Sequence, residues 1–404
     1  MSPNPTDELS IRIEAGSINT EQVTGVGYYT ESLIEAMSKL PHIAVDAFAL
    51  GSEKATLSEH LRAATIHSLY FVPQLNQRIY RKLHQYFLAP PCDTTLPDVD
   101  VTIYPDFALW PTINSKISGV VIHDLTFIKH PEFMRSRKLG PLSIPVTTWY
   151  LSAVVRKAVR RADFIITVSE SIKSELISLL DVPADMIVVT PIPPRENFKQ
   201  QATPHSSKDD LLQKYKIPTE DFILSVGTLE PRKNHLALLR AYLHLPQAVR
   251  TSHSLVIAGG EGWGCDETLK AIHEAQRSGE NIVLTGYFDT EDAYQLYSHA
   301  TIFSSASHYE GFGMPLMESM YVGIPMVVSD IPVFKEVSGD AALYVDTSNS
   351  TIYATTLLSL LKDPGLREHL TSLGKKRLLG FSWQRNAQKV EDLCRDLLTR
   401  RPKR

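Results

Sequence analysis

The sequence predicts an α/β protein made of two Rossmann-like domains in tandem, each a doubly wound parallel sheet. Three observations carry this expectation. Short apolar strands alternate with helical stretches through the first half of the chain, the rhythm of parallel strands joined by crossover helices. Between 191 and 210 four prolines and a polar run interrupt that rhythm, which is linker composition. The same alternation then restarts. A chain of 404 residues also exceeds what one compact core usually holds, so two domains are expected.

In order, strands are expected over 11–15, 45–50, 101–104, 119–123, 164–168 and 186–190, with helices over 29–40, 77–87, 145–161 and 169–180. After the linker, strands follow over 222–226, 255–258, 281–284, 301–303, 325–328 and 342–345, with helices at 233–245 and near Met314, and an amphipathic tail helix over 383–398. The expected division is 1–198 for the first domain, 199–210 for the linker, 211–380 for the second domain and 381–404 for a closing helix. Ligands in such sheets bind at the carboxyl ends of the strands.

Bulk properties exclude several function classes. Apolar residues at 43% and charged residues at 21% describe an ordinary globular composition. A net charge of −4 gives no reason to expect nucleic acid as a partner. Cys92, Cys265 and Cys394 are odd in number, far apart and without metal-ligand spacing, which fits a reducing, cytoplasmic compartment. The opening residues show no secretory pattern, and no stretch reaches the about 18 apolar residues of a membrane span. Nothing in the sequence specifies an oligomeric state.

The segment Glu310-Gly311-Phe312-Gly313-Met314-Pro315-Leu316-Met317-Glu318 is the most informative. It reads as a strand end, a glycine loop and the first turns of a helix. Pro315 suits a first helical turn, and Gly311 and Gly313 let backbone approach a ligand closely. The N–H groups of that helix end favour a phosphate. A carboxylate on either side of a phosphate site suggests a nucleoside diphosphate sugar, with Glu310 toward the sugar and Glu318 toward the ribose.

Other strand ends add candidates. Gly25 and Gly27 follow the first strand, where backbone N–H groups could meet a phosphate or sugar; a tight strand-to-helix turn explains them equally well. Arg232 and Lys233 end the first strand of the second half, and adjacent cations there could hold a diphosphate and neutralise a leaving group. His123 and Asp124 end a strand of the first half. Gly260 and the Gly286–Tyr287 pair close two further strands, where glycines would make room for a flat base. Asp98 and Asp100 match the Asp-x-Asp pattern of metal-binding sugar transferases, but they precede a strand, so they read as a solvated turn and no metal site is expected. A basic interval, Lys129, Arg135, Arg137, Lys138, Arg156, Lys157, Arg160 and Arg161, is joined by Arg78, Arg81 and Lys82. Such a face suits peripheral contact with an anionic membrane, at the inner leaflet for a cytoplasmic protein, or with a lipid diphosphate.

With these residues in place the chain resembles the retaining glycosyltransferases of family 4, whose fold is GT-B: two Rossmann-like domains facing a central cleft. The resemblance rests on Gly25-Val-Gly27, His123-Asp124, Val168-Ser-Glu-Ser-Ile-Lys173, Gly227-Thr-Leu-Glu-Pro-Arg-Lys-Asn234, the glutamates 310 and 318, and Phe381-Ser-Trp-Gln-Arg385. It implies that Glu310 touches the donor sugar with help from backbone N–H groups of 311–314. It also implies that Arg232 and Lys233 clamp the diphosphate, Glu318 holds the ribose, His123 lies near the reacting centre and Gly25 and Gly27 border the phosphates. Transfer with retention, without a cofactor or divalent metal, is what the family pattern implies. The wording around Arg232 is similar to that of bacterial mannosyl- and rhamnosyltransferases of surface polysaccharides. Transfer of a hexose, mannose from GDP-mannose first, to a glycan or lipid-linked acceptor is therefore expected. A UDP-sugar or rhamnose donor, a sugar-nucleotide epimerase and a non-catalytic sugar-nucleotide scaffold remain alternatives.

Overall fold

A computed structural model describes residues 8–20, 25–51, 57–72, 90–134, 143–194, 198, 207–288 and 290–400. The chain divides into two compact units: Met1–Leu125, Thr147–Ile192 and Ser382–Arg404 in the first, Thr126–Val146 and Pro193–Phe381 in the second.

The first unit is built on seven parallel strands: β1 (Leu9–Glu14), β2 (Ile43–Leu50), β3 (Ser68–Val72), β4 (Val99–Tyr104), β5 (Ser115–Ile122), β6 (Phe164–Thr167) and β7 (Ile187–Val189). They lie in the order β3-β2-β1-β4-β5-β6-β7. β1, β4, β5 and β6 are buried over most of their length, polar positions such as Arg12 and Thr102 included, as expected of parallel strands covered on both faces. The edge strand β3 escaped the sequence reading although Leu69 to Val72 form a short apolar run; Ser68 to Phe71 are half-buried. The helix expected over 77–87 lies outside the described residues.

The second unit holds β8 (Asp221–Val226), β9 (His253–Ala258), β10 (Ile282–Gly286), β11 (Ile302–Ser305), β12 (Met326–Ser329) and β13 (Ala342–Val345). Their order is β10-β9-β8-β11-β12-β13, again all parallel. In both sheets the winding reverses once, between β1 and β4 and between β8 and β11. In open α/β sheets such a reversal is where ligands bind, outside the carboxyl ends of the strands.

Several boundaries differ from the sequence reading: the second unit resumes at Pro193, and the helix Lys208–Tyr215 begins inside the expected linker. Residues 126–146 group with the second unit, not the first. Stacking explains this: the Phe133 ring lies between His130 (5.1 Å) and His308 (5.6 Å), and the Trp263 indole N–H donates to Phe133 O at 2.6 Å. The helix expected over 233–245 is interrupted. A 3₁₀ turn, Pro231–Lys233, stops at Asn234 in the left-handed region (φ 51°), and the α-helix runs from His235 to Leu243.

The closing helix Trp383–Arg400 belongs to the first unit. Ala387, Val390 and Cys394 are its fully buried apolar side chains, and the Asn386 amide donates to Pro191 O at 2.7 Å.

The strand that ends at His123 packs through an absent side chain. A Cβ at Gly119 would lie 2.2 Å from the ring of Phe164, its partner across the β5–β6 pairing. Gly119→Ala is expected to lower stability by about 1–3 kcal/mol through overpacking, measured by denaturant unfolding; a neutral result would mean the Phe164 ring moves aside freely.

Candidate active site

Two loops at the reversal of the second sheet, with the helix that follows one of them, carry most of the predicted residues. From β8, Gly227 leads through Glu230 into the 3₁₀ turn that presents Arg232 and Lys233. From β11, the loop 306–313 presents Ser307, Tyr309 and Glu310 before the helix Met314–Val322. The His308 N–H donates to Arg232 O at 2.8 Å and joins the two loops.

Their side chains form one buried ion network. Glu310 Oε2 accepts from Arg232 Nη1 at 2.5 Å, and Oε1 accepts from Lys233 Nζ at 2.6 Å and Ser307 Oγ at 2.9 Å. Arg232 also donates from Nε (3.1 Å) and Nη2 (2.7 Å) to Glu230 Oε1, and from Nη1 to Tyr309 O at 3.2 Å. Ser307 is itself held by Ser329 Oγ, which donates to its carbonyl at 2.7 Å. Removing one partner of such a buried pair leaves an uncompensated charge and costs about 3–5 kcal/mol.

Burial alone would raise the Glu310 pKa, but Arg232, then Lys233 and the Ser307 hydrogen bond outweigh it and hold the carboxyl at about 2. Glu310 is therefore an anion at working pH, suited to accepting hydrogen bonds and not to donating a proton. His235, under the same loop, is pushed down to about 4 by burial and by Lys233, so it stays neutral.

Gly313 takes a left-handed conformation (φ 100°) as N-cap of the helix Met314–Val322, and Pro315 occupies its first turn. Gly311, Phe312 and Leu316 are buried along this segment, and Met314 is half-buried. Glu318 lies on the inner side of the helix, 4% exposed, and accepts from Tyr297 Oη at 2.9 Å. The space beside Gly260 is filled by the Tyr287 ring, 2.5 Å from where a Cβ would stand, while Tyr287 itself is 82% exposed. In this conformation the room expected there for a base holds that ring.

The remaining candidates belong to the first unit. The helix Gly25–Ser38 begins at Gly25, so both glycines sit inside its first turn, not in a loop before it. His123 follows β5, and its Nε2 lies 2.8 Å from Pro105 O, so Nε2 carries the proton. Burial lowers its pKa, which keeps the ring neutral. Tyr29 packs edge-on against it (4.9 Å) and against Trp383 (5.3 Å), and is anchored by Thr190 Oγ1 at 2.8 Å. Asp124 is half-buried beside His123. Asp100 is engaged at the amino-terminal end of β4 by Ser10 N (2.9 Å), Ser10 Oγ (2.8 Å) and Lys116 Nζ (2.5 Å).

The structure thus joins Arg232, Lys233 and Glu310 in one contact set with Glu230 and Ser307; separately, Tyr297 bonds Glu318 and, in the first unit, Tyr29 packs on His123. The sequence reading assigned none of these four added residues a role. Only Glu230 had a local signal, two residues before Arg232 in a motif already singled out. Among the described residues, no group of three or more His, Cys, Asp or Glu side chains is arranged to hold a metal. No described helix is long and apolar enough to cross a membrane.

Two doubly wound sheets with a cationic, carboxylate-bearing loop pair at one reversal point define a GT-B protein. Residues 207–377 match the family described as glycosyl transferases group 1. The chain is 30% identical over 376 residues to the O-antigen chain mannosyltransferase B of Escherichia coli, covering 90% of this chain and 93% of that protein. It is 27% identical over 293 residues to the E. coli serotype-specific mannosyltransferase WbdA, covering 72% of this chain and 34% of that longer protein. Among solved structures, the fold is similar to sucrose-phosphate synthase from Thermosynechococcus elongatus, with a TM-score of 0.68 at 18% identity over 97% of this chain and 99% of that one. It is also similar to WaaG, a glycosyltransferase of lipopolysaccharide biosynthesis, with a TM-score of 0.65 at 12% identity over 95% of this chain and 98% of that one. The chain belongs to the group 1 glycosyl transferases, and is a glycosyltransferase.

The depressed Glu310 pKa carries a defined stability signature. Because its folded value lies below the ordinary 4.5, its contribution is complete above about pH 4.5 and is lost as pH falls toward 2. The advantage of wild type over Glu310→Gln in unfolding free energy is expected to stay constant above that pH and to shrink below it. An advantage undiminished at pH 3 would contradict the ion network.

Proposed function

We propose that this glycosyltransferase moves a hexose, mannose from GDP-mannose, with retention of anomeric configuration and without a metal, onto a glycan or lipid-linked acceptor in polysaccharide synthesis. The observation that carries the reading is the Glu310 carboxylate held between Arg232 and Lys233 at the sheet reversal. The similarity to two E. coli mannosyltransferases supports mannose.

The chemistry follows from charge. The acceptor hydroxyl attacks the anomeric carbon on the face from which the diphosphate leaves. The C1–O bond breaks, and the departing phosphate oxygen takes the acceptor's proton. Positive charge at 232–233 neutralises the leaving group, the task a divalent cation would otherwise perform. Glu310, ionised and buried, orients sugar hydroxyls. A retaining glycosidase would instead need a second carboxyl about 5–5.5 Å away as acid, whereas the neighbouring Glu230 is committed to Arg232. Glu318, with the segment 311–316, is assigned to the ribose and phosphates, and Tyr287 and Gly260 to the base. His123, Asp124, Gly25 and Gly27 are assigned to the sugar and diphosphate.

Contact with an anionic membrane is part of the proposal. On the helix Ser143–Arg161, Trp149 is 68% exposed. Arg156 and Arg160 lie seven and eleven residues on, along the same side. Arg135, Arg137, Lys138 and residues 78–82 lie outside the described residues.

Glu310→Ala and Lys233→Ala are each expected to lose on the order of 10²-fold in turnover while staying folded; near-wild-type transfer by either would remove that role. Thermal shifts with GDP, UDP, ADP, dTDP and their sugars, with and without EDTA, should show stabilisation by GDP-mannose that EDTA leaves unchanged. A UDP-sugar preference or loss of the shift in EDTA would overturn the donor or the metal independence. Sedimentation with anionic liposomes at low salt should retain the chain, and Arg156→Glu/Arg160→Glu should release it; no retention of wild type would end the membrane reading.

A further inference from the structure

We propose that Glu230 is a positioning residue and that it turns Arg232 into a brace for Glu310, leaving Lys233 as the cation that meets the diphosphate. The inference deepens the reading above and rests on it. It divides a pair of adjacent cations, equivalent in the sequence, into two different tasks.

The argument is an inventory of donors. A guanidinium carries five N–H groups in one rigid plane. Arg232 spends Nε and Nη2 on Glu230 Oε1, at 3.1 and 2.7 Å, and Nη1 on Tyr309 O and Glu310 Oε2, at 3.2 and 2.5 Å. Acceptors from both loops therefore fix its plane. An ammonium carries three N–H groups, and among the described residues Lys233 Nζ has one hydrogen-bond acceptor, Glu310 Oε1 at 2.6 Å.

The two cations also differ in what their movement would leave behind. Swinging Arg232 toward a phosphate would strip both carboxylates, and the Glu230 side chain is only 4% exposed. A buried carboxylate without its partner is strongly unfavourable. Moving Lys233 breaks one bond, and Ser307 Oγ still holds Glu310 Oε1 at 2.9 Å. Its stem is flexible, and its ammonium is a mobile point charge. When a diphosphate takes Lys233 from Glu310, Oε1 gains an open lone pair for a sugar hydroxyl while Arg232 keeps Oε2 in place. Glu230 Oε1 accepts both Nε and Nη2 of Arg232, so it acts through the guanidinium.

The test uses the full chain. GDP and UDP are titrated calorimetrically into wild type, Glu230→Gln, Arg232→Gln and Lys233→Gln, and steady-state turnover is measured with the matching sugar nucleotide. Lys233→Gln should weaken the bound nucleotide about tenfold or more. Arg232→Gln and Glu230→Gln should change that affinity by less than about threefold, yet lower kcat about tenfold or more with donor KM little altered. Combining the two should be no worse than Arg232→Gln alone, since they remove one linked function. Glu230→Asp, which keeps the charge, should recover most of kcat. Equal loss of nucleotide affinity in Arg232→Gln and Lys233→Gln, or wild-type kcat in Glu230→Gln, overturns the division. If melting shows that Glu230→Gln is unfolded, the Arg232→Gln and Lys233→Gln comparison decides alone. Wild type binding neither nucleotide would instead strike the functional reading itself, and this inference with it; failure confined to the variants leaves that reading intact.

Discussion

One carboxylate, Glu310, shared between two cations, ties together the two loops on which the candidate chemistry depends. The loops leave β8 and β11, paired strands at the reversal of the winding, so the sheet sets their starts side by side but not their further course. The ion network and the backbone bond from His308 to Arg232 hold them together. Burial makes this arrangement consequential. In water such pairs are worth little, whereas beneath the surface an unmatched charge is costly, so each member of the set constrains the others.

The first unit solves a different problem with apolar contacts. A neutral imidazole must be held in one tautomer at a strand end. Pro105 O selects the proton position, and the Tyr29 ring supports the imidazole edge-on while leaning on Trp383 of the closing helix. The tail helix therefore helps to build the setting of His123, besides covering the sheet.

Much of this was legible before any coordinates. Strand rhythm, the proline-rich interval and glycines at strand ends are local signals, and twelve of the thirteen strands among the described residues follow from them. Glu310, Arg232 and Lys233 stood out because their types and places at strand ends are unusual. What stayed hidden was set by distance along the chain or by backbone detail. Tyr29 and His123 are 94 residues apart in sequence, and nothing local pairs them. The break at Asn234 depends on a left-handed residue that helical periodicity does not register. The edge strand β3 carries a signal, the short apolar run Leu69 to Val72, that the sequence reading does not use. The stacking of Phe133 on His308, which draws 126–146 into the second unit, joins segments that only the fold brings together.

The glycines at the end of β8 and β9 restrict how this catalyst can diversify. A methyl group on Gly259 would sit 2.2 Å from Gly227 O, and one on Gly227 would press on Lys233 Cε at 3.2 Å. Single substitutions there disturb the cation before they could reshape a ligand's surroundings, so natural variation is channelled outward. Tyr287, with its ring largely in solvent, is the neighbouring position where change is cheap. A lineage exploring new donors on this scaffold would be expected to alter such peripheral rings many times while the floor beneath them stands still.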